Sequence, residues 1–168
     1  CASLVQGAIG ATNAFAFDVS AACSGFVFAL STGLKMLEHG QRKYGIVIGA
    51  ETMLSSLDWE DRSTAILFGD GAGAVLLQKD EEPFFLAETL QNDGQKSEAL
   101  VAGKRMTNQT LSTMTMDGRG VYELVSKTVP VNIQETLQKA GYTADDIDLY
   151  LLHQANRRLV EQVAKKLK

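Results

Sequence analysis

The feature that most constrains the fold is a pair of continuous apolar runs that flank an apolar helical pattern. Residues 14–20 (AFAFDVS) and residues 44–50 (YGIVIGA) each have the length and composition of a strand in a sheet covered on both faces. Between them, residues 22–38 carry apolar side chains at three- and four-residue spacing, and their first charged residue is Lys35. This pattern predicts a helix that is buried on most sides. Strand, helix and strand together predict a βαβ unit.

The rest of the chain continues the alternation of strands and helices. Residues 65–78 predict two strands interrupted by glycines, and residues 83–90 predict another strand. Residues 92–116 are polar and predict a long loop or a pair of short elements. Further helices are predicted over 3–11, 120–140 and 155–167. The second of these is expected to bend at Pro130 and to end at Gly141. A turn at 143–148 and a strand at 149–152 are predicted to precede the helix over 155–167.

Two apolar strands are thus predicted to end at a reactive side chain, the first at Cys23 and the second at His153. A helix follows each of them. This repetition predicts a duplicated α/β architecture whose halves contribute one catalytic residue each.

Composition narrows the classes of function. The 168 residues are 45% hydrophobic, which is enough for one globular core, and the net charge of −4 gives no electrostatic footprint for nucleic acid. The two cysteines, Cys1 and Cys23, do not form a disulfide scaffold, which favours a reducing, cytoplasmic location. No apolar run reaches the roughly 18 residues of a membrane span, and no zinc-ligand spacing is present. The chain begins at Cys1 and stops at Lys168 within a charged helical pattern, so we expect it to be incomplete at both ends.

Cys23, in the sequence DVSAACSGF, is the candidate nucleophile. A thiol in the first turn of a helix lies near unpaired backbone N–H groups and the positive end of the helix dipole, and both favour the reactive thiolate. Its small neighbours would leave room for an acyl chain. The alternative is an inert core cysteine, because free cysteine is among the most buried residue types.

His153 is the second candidate, because a histidine at a strand-to-helix junction can donate to a developing oxyanion or act as the base for a thiol. The alternative is a solvated or capping histidine, and His39 beside Gly40 is expected to be an ordinary cap. The gap between Cys23 and His153 is also similar to that of papain-like proteases, but the Gly-Ser-Cys-Trp context and the fold pattern do not fit them.

Two other patterns were weighed. The GDGAGA run at residues 69–74 lacks the Lys-Ser/Thr of a phosphate-binding P-loop, and we interpret it as a tight turn with close backbone packing. Arg157, Arg158, Lys165 and Lys166 lie on or beside the helix after His153. They are either a solvated face or a site for an anionic partner such as a phosphopantetheine carrier.

Four stretches of the chain resemble the β-ketoacyl-acyl-carrier-protein synthase III family of condensing enzymes. They are AFDVSAACSGF, DRSTAILFGDGAGAVLL, MDGRGVYELV and LLHQANRRLVEQVAKKL, in the family's order and at about its spacing. The resemblance covers essentially the whole chain, which corresponds to about half of a typical member. It implies an α/β, thiolase-like fold of layers α-β-α-β-α in two duplicated halves. Residues 1–91 would be the later part of the N-terminal half, and residues 92–168 a linker and the first part of the C-terminal half.

The resemblance also implies a reaction and its residues. Cys23 would take the acyl group of an acyl-CoA such as acetyl-CoA, and malonyl-acyl carrier protein would lose carbon dioxide and attack the acyl-Cys23. His153 would hydrogen-bond the malonyl thioester carbonyl, Arg62 would pack against the CoA adenine, and Phe68 would line the acyl pocket. The segment implied to engage acyl carrier protein is Gln154, Ala155, Asn156, Arg157 and Arg158. The enzyme would be a homodimer that needs no cofactor besides its CoA thioester substrate.

Two departures qualify the resemblance. The family's third catalytic group is an asparagine in a Gly-Asn-Thr-Ser context, which is expected beyond Lys168, so the chain alone is expected to be inactive. Glu123 stands where some relatives have a basic residue that helps to dock the carrier. An HMG-CoA synthase-like or chalcone synthase-like enzyme, and a non-catalytic fragment that binds CoA or acyl carrier protein, remain alternatives.

Overall fold

The computed structural model describes residues 1–81, 84–102, 106–107, 110–111 and 113–167. Within these ranges the chain alternates helices with short strands, as an α/β protein does. The helices are α1 (Ala2–Ala8), α2 (Gly25–His39), α3 (Arg62–Ala65), α4 (Gly118–Ala140) and α5 (Arg157–Leu167). The strands are β1 (Tyr44–Thr52), β2 (Asp70–Gln78), β3 (Leu100–Val101), β4 (Met106–Thr107), β5 (Thr110–Leu111) and β6 (Thr115–Met116).

The chain divides into two compact units. The first comprises Cys1–Gly49 and Gly73–Lys79, and the second comprises Ala50–Ala72 and Asp80–Lys168. Strands β1 and β2 pair with each other, and each strand runs through both units.

The first unit is built by α2 lying against the paired strands. Leu37 of α2 and Val47 of β1 are its buried apolar residues among those described. Gly33 lies where a Cβ would come within 3.1 Å of Val47 Cγ2 and 3.2 Å of Leu77 Cδ1, so a glycine allows the helix to approach the strands closely. At the end of the pairing, Lys79 N–H donates to the Lys43 carbonyl over 2.8 Å.

The second unit is built around the long helix α4. The Asp117 carboxylate caps its start by accepting from Gly120 N–H at 3.0 Å, and Gly141 ends it with a φ of +76°, a conformation that favours glycine. Helix α5 packs against α4 through a buried apolar stripe at Leu159 and Val163. A hydrogen bond also joins the two helices, because Lys166 Nζ donates to the Ser126 carbonyl at 2.8 Å.

Short antiparallel ladders occupy the predicted polar segment of the second unit. Strand β3 pairs with β6, with Leu100 opposite Met116, and β4 pairs with β5, with Met106 opposite Leu111. The expectation of short elements over residues 92–116 is therefore confirmed for the part of that segment that is described.

The sequence predicted most helices correctly. The predicted helices over 3–11, 120–140 and 155–167 correspond to α1, α4 and α5. The predicted helix over 22–38 begins as a 3-10 turn at Ala22–Ser24 and continues as α2. The predicted turn at 143–148 is also present, and the Thr143 backbone N–H and hydroxyl donate to the Asp146 carboxylate at 2.8 and 2.7 Å. These bonds lower the pKa of Asp146, the hydroxyl contributing most. Pro130 lies inside α4.

Three predicted strands are wrong for the described residues. Residues 14–20, 84–90 and 149–152 form no strand and have no ladder pairing, and residue 83 of the second lies outside the described residues. Phe15 and Phe17 stack on each other with centroids 6.2 Å apart, yet both are exposed. An apolar extended segment becomes a strand only when a neighbouring backbone satisfies its N–H and C=O groups, and no described segment does so here.

The glycine run and the predicted burial also need correction. Residues 65–78 form the end of α3 and the single strand β2, which runs through Gly71 and Gly73 instead of turning there. No described atom lies within 4 Å of a Cβ built on either glycine, so the predicted close packing is absent. Helix α2 and strand β1 are not covered on most sides, because Phe26, Val27 and Ile46 are exposed.

No helix of the described residues is long and apolar enough to cross a membrane.

Candidate active site

Cys23 lies at the start of α2, in the 3-10 turn that precedes it, and its side chain belongs to an exposed residue. The residue before it, Ala22, has a φ of +47°, which non-glycine residues adopt rarely and at an energetic cost. No described atom lies within 4 Å of a Cβ built on Gly25, so there is open space beside the turn. A strained turn thus presents the thiol at a helix N-terminus, in an accessible position. The strain at Ala22 could not have been recognised from the sequence.

His153 lies in the irregular segment that leads into α5, four residues before the first helical residue, and it is exposed. Of the predicted strand-to-helix junction, the helix is therefore present and the strand is not. Cys23 belongs to the first compact unit and His153 to the second. The imidazole is accessible to a ligand in the same way as the Cys23 thiol.

Arg62 is the first residue of the short helix α3, which is held by a capping carboxylate, and Phe68 lies three residues after its end. Asp61 accepts from Ser63 N–H at 2.9 Å, from the Ser63 hydroxyl at 2.6 Å and from the Thr64 hydroxyl at 3.0 Å. The Ser63 hydroxyl, followed by the Ser63 backbone N–H and the Thr64 hydroxyl, lowers the pKa of Asp61. Thr64 is fully buried, while Arg62 is exposed. The cap therefore fixes the turn and leaves the arginine accessible.

A groove of about 790 Å³ lies within the second unit. One side carries the apolar residues Ile66 and Leu67, which follow α3, and the aromatic ring of Tyr122 from α4. The starts of α4 and α5 supply the rest of the lining, which is Gly118, Arg119, Asn156, Arg157 and Arg158. An apolar wall beside three guanidinium groups suits a slender molecule that carries an anionic group.

The start of α5 is set by Asn156, whose Oδ1 accepts from Leu159 N–H at 3.0 Å. This is the bond of an N-cap asparagine, and it places Arg157 and Arg158 in the first turn of the helix. The first arginine is tied down, because Arg157 Nε donates to Glu161 Oε1 at 2.6 Å. A corresponding bond of 3.1 Å joins Arg119 Nε to Glu123 Oε1 at the start of α4.

The groove unites part of the predicted site. Of the residues predicted from the sequence, Asn156, Arg157 and Arg158 belong to its described lining, whereas Arg62, Phe68, His153, Gln154 and Ala155 do not. The sequence reasoning missed five lining residues, namely Ile66, Leu67, Gly118, Arg119 and Tyr122. Arg119 and Tyr122 lie in the quoted MDGRGVYELV stretch, so their helix-start position was the available signal. Among the described residues no group of three or more His, Cys, Asp or Glu side chains could hold a metal ion.

Comparison with known proteins decides the family. The model of the 3-oxoacyl-[acyl-carrier-protein] synthase III family matches residues 17–94, which include Cys23, and the model of that family's C-terminal region matches residues 137–168, which include His153. A β-ketoacyl-[acyl-carrier-protein] synthase III of Streptococcus suis is 51% identical over 173 residues, covering 99% of this chain and 53% of the relative. The chain belongs to the synthase III family.

Solved synthase III structures have the same fold. The crystal structure of the 3-oxoacyl-(acyl carrier protein) synthase III of Pseudomonas aeruginosa has a TM-score of 0.93 and 34% identity, and the match covers 99% of this chain and 52% of that one. The corresponding enzyme of Aquifex aeolicus has a TM-score of 0.89 and 38% identity, with the same coverage. The predicted thiolase-like α/β fold is thereby confirmed. The chain spans about half the length of the curated relatives that it matches.

Proposed function

We propose that the full-length protein is an acyltransferase that initiates fatty-acid synthesis by condensing acetyl-CoA or another acyl-CoA with malonyl-acyl carrier protein. The observation that carries the proposal is Cys23, exposed at the start of α2 after the strained Ala22, within a stretch that the synthase III model matches. A thiol so placed is accessible to a thioester, and the helix N-terminus favours its ionised form.

In the first half-reaction, the Cys23 thiolate attacks the carbonyl carbon of the acyl-CoA. The tetrahedral intermediate collapses, the bond from that carbon to the CoA sulfur breaks, and CoA leaves as its thiolate, which takes up a proton. The acyl group is now a thioester of Cys23. The open space beside Gly25 is consistent with room for the substrate at this point.

In the second half-reaction, the malonyl group loses its carboxylate as carbon dioxide, and the electron pair of the broken bond forms a thioester enolate. His153 donates a hydrogen bond to the enolate oxygen, where the negative charge develops. The enolate carbon attacks the acyl carbon on Cys23, the bond to the cysteine sulfur breaks, and the β-ketoacyl thioester is released from the enzyme. The chemistry requires no cofactor besides the CoA thioester substrate.

The remaining residues are assigned to substrate binding. Arg62 would contact the CoA adenine and Phe68 the acyl chain, while residues 154–158 would engage acyl carrier protein. The presence of Asn156, Arg157 and Arg158 in an arginine-lined groove supports the carrier assignment, because the carrier and its arm are anionic.

The proposal extends to organisation. Residues 1–91 would belong to the N-terminal thiolase-like half and residues 92–168 to a linker and the C-terminal half, which the separate family matches at 17–94 and 137–168 support. We further propose a cytoplasmic homodimer as the working form.

Labelling of the full-length protein with radioactive acetyl-CoA tests the first half-reaction. We expect covalent label in the wild type, none in Cys23→Ala, and full label in Cys1→Ala, the matched control for the other free cysteine. A Cys23→Ala protein that labels as strongly as the wild type would sink the assignment.

A second variant separates the half-reactions. We expect His153→Ala to retain acyl label on Cys23 but to lose condensation activity by about 10²–10³-fold, because one oxyanion donor is removed. Loss of labelling and condensation in equal measure would show instead that His153 acts on the cysteine itself.

A further inference from the structure

Pro130 removes one backbone hydrogen bond from the middle of α4. In an α-helix the N–H of residue 130 would donate to the carbonyl of Ser126, four residues earlier, but proline has no N–H and its ring crowds that carbonyl. Pro130 is buried and Ser126 is 8% exposed, which limits the access of water to the carbonyl. A buried carbonyl without a donor is costly, so the fold needs another donor at this point.

Helix α5 supplies that donor. Lys166 Nζ donates to the Ser126 carbonyl at 2.8 Å. This lysine continues the face of α5 that packs on α4, because it lies three residues after Val163 and seven after Leu159, both of which are buried. The aliphatic part of a lysine can lie along such an apolar face while its ammonium reaches a polar group. The lysine is therefore directed at the carbonyl that Pro130 deprives of its donor.

Two simpler accounts of this bond do not fit. A lysine is often attracted to the C-terminal end of a helix, but the Ser126 carbonyl lies in the middle of α4, far from its end at Ala140. The interpretation of Lys166 as part of a solvated face does not fit either, because its bond to the carbonyl is partly buried. The missing N–H of Pro130 does account for the bond, since it leaves this carbonyl in need of a donor.

We propose that Lys166 is a positioning residue, which holds α5 on α4 by satisfying the carbonyl that Pro130 leaves without a donor. Helix α5 begins at Arg157 after the Asn156 cap, and His153 lies four residues before it, so the orientation of α5 sets where these groups are held. Lys166 lies roughly 14 Å along the helix axis from Arg157, and fixing that far end limits the tilt of the start. The link to catalysis rests on the proposed function.

A double-mutant cycle tests whether the lysine and the proline act together. Hydrogen exchange of the α5 backbone amides is measured in the full-length protein for Lys166→Met, for Pro130→Ala and for the double variant. We expect Lys166→Met alone to raise the exchange rates about tenfold, as for a buried carbonyl that loses its donor. In the Pro130→Ala background residue 130 again has an N–H for the Ser126 carbonyl, and the same substitution should then change the rates by less than about twofold.

Two further variants control for charge and for folding. Lys165→Met removes the neighbouring exposed cation, which lies on a different face of α5, and should leave the exchange rates at their wild-type values. Lys166→Arg keeps a cationic donor and should retain most of the protection, a comparison that holds even where Pro130→Ala fails to fold. The proposal is overturned if Lys166→Met costs as much with Pro130→Ala as without it, if Lys166→Arg exchanges as fast as Lys166→Met, or if Lys165→Met has the same effect.

A catalytic measurement separates positioning from contact with the carrier. We expect Lys166→Met to lower the condensation rate at saturating malonyl-acyl carrier protein about threefold, and Pro130→Ala to restore it in the double variant. The acyl label on Cys23 should be unchanged, because Cys23 belongs to the first compact unit and α5 to the second. A higher half-saturating concentration of the carrier at an unchanged rate, with no relief by Pro130→Ala, would place Lys166 at the carrier surface and overturn the positioning role. A wild-type protein without condensation activity would instead refute the proposed function, and the exchange comparison would still decide the role of the bond.

Discussion

The cap of α5 leads to a quantitative prediction. Asn156 Oδ1 accepts from Leu159 N–H at 3.0 Å, and this bond is partly buried at a leucine that is 6% exposed, so water replaces the lost acceptor only in part. Replacing an N-cap asparagine with alanine costs about 0.5–2 kcal/mol, and burial places this site in the upper half of that range. We therefore expect Asn156→Ala to lower the free energy of unfolding of the full-length protein by about 1–2 kcal/mol.

Urea denaturation measures this change as a lower midpoint at an unchanged slope. Asn156→Ser is the matched control, because serine caps a helix about as well as asparagine. We expect the serine variant to recover most of the lost stability and, if the asparagine acts on substrates only through the helix, most of the carrier affinity too. If the alanine variant were as stable as the wild type, or the serine variant as unstable as the alanine variant, the capping argument would be refuted.

Three other predictions concern the core, the pH dependence and the isolated chain. Val163→Ala removes two methyl groups from a side chain that is 2% exposed and should cost about 2 kcal/mol, while Val131→Ala, at a half-exposed position of α4, should cost less than about 0.5 kcal/mol, as measured by denaturation. The lowered pKa of Asp61 means that its carboxylate stabilises the fold above the ordinary value of 3.8 and that this contribution is lost as the pH falls through the lowered folded-state pKa. The stability advantage of the wild type over Asp61→Ala should therefore be constant above about pH 5 and decrease below about pH 4, and an advantage that grows on acidification would contradict the assignment. The isolated 168-residue chain, which exposes side chains such as Leu151 (86%) and Phe84 (84%), should bind a hydrophobic dye and aggregate, and a sharp, reversible thermal transition of a monomer would contradict this.

Local signals in the sequence predicted the helices and the candidate site residues. Helix periodicity, the glycine at position 141 and the Thr143 turn depend on contacts within a few residues, and the structure has each of them where it was expected. Cys23 at a helix start is a local feature of the same kind.

Pairing and burial could not be predicted in this way. The runs 14–20 and 149–152 have the apolar composition of strands, but a strand also needs a partner, and that depends on residues distant in sequence. The glycine run was misjudged for a related reason. Gly71 and Gly73 suit a turn as well as a strand, and pairing with β1 selected the strand.

By itself, then, the sequence determined the α/β alternation, the family's four motifs and the candidate nucleophile, because each of these is encoded by neighbouring residues. Only the tertiary structure brought Ile66 and Leu67, from the turn after α3, to the starts of α4 and α5 and so created the arginine-lined groove. It also decided that Glu123, an acidic residue where some relatives have a basic one, is the partner of Arg119. The physical reason is that a binding surface depends on which distant segments pack together, whereas a helix or a motif depends mainly on its own neighbours.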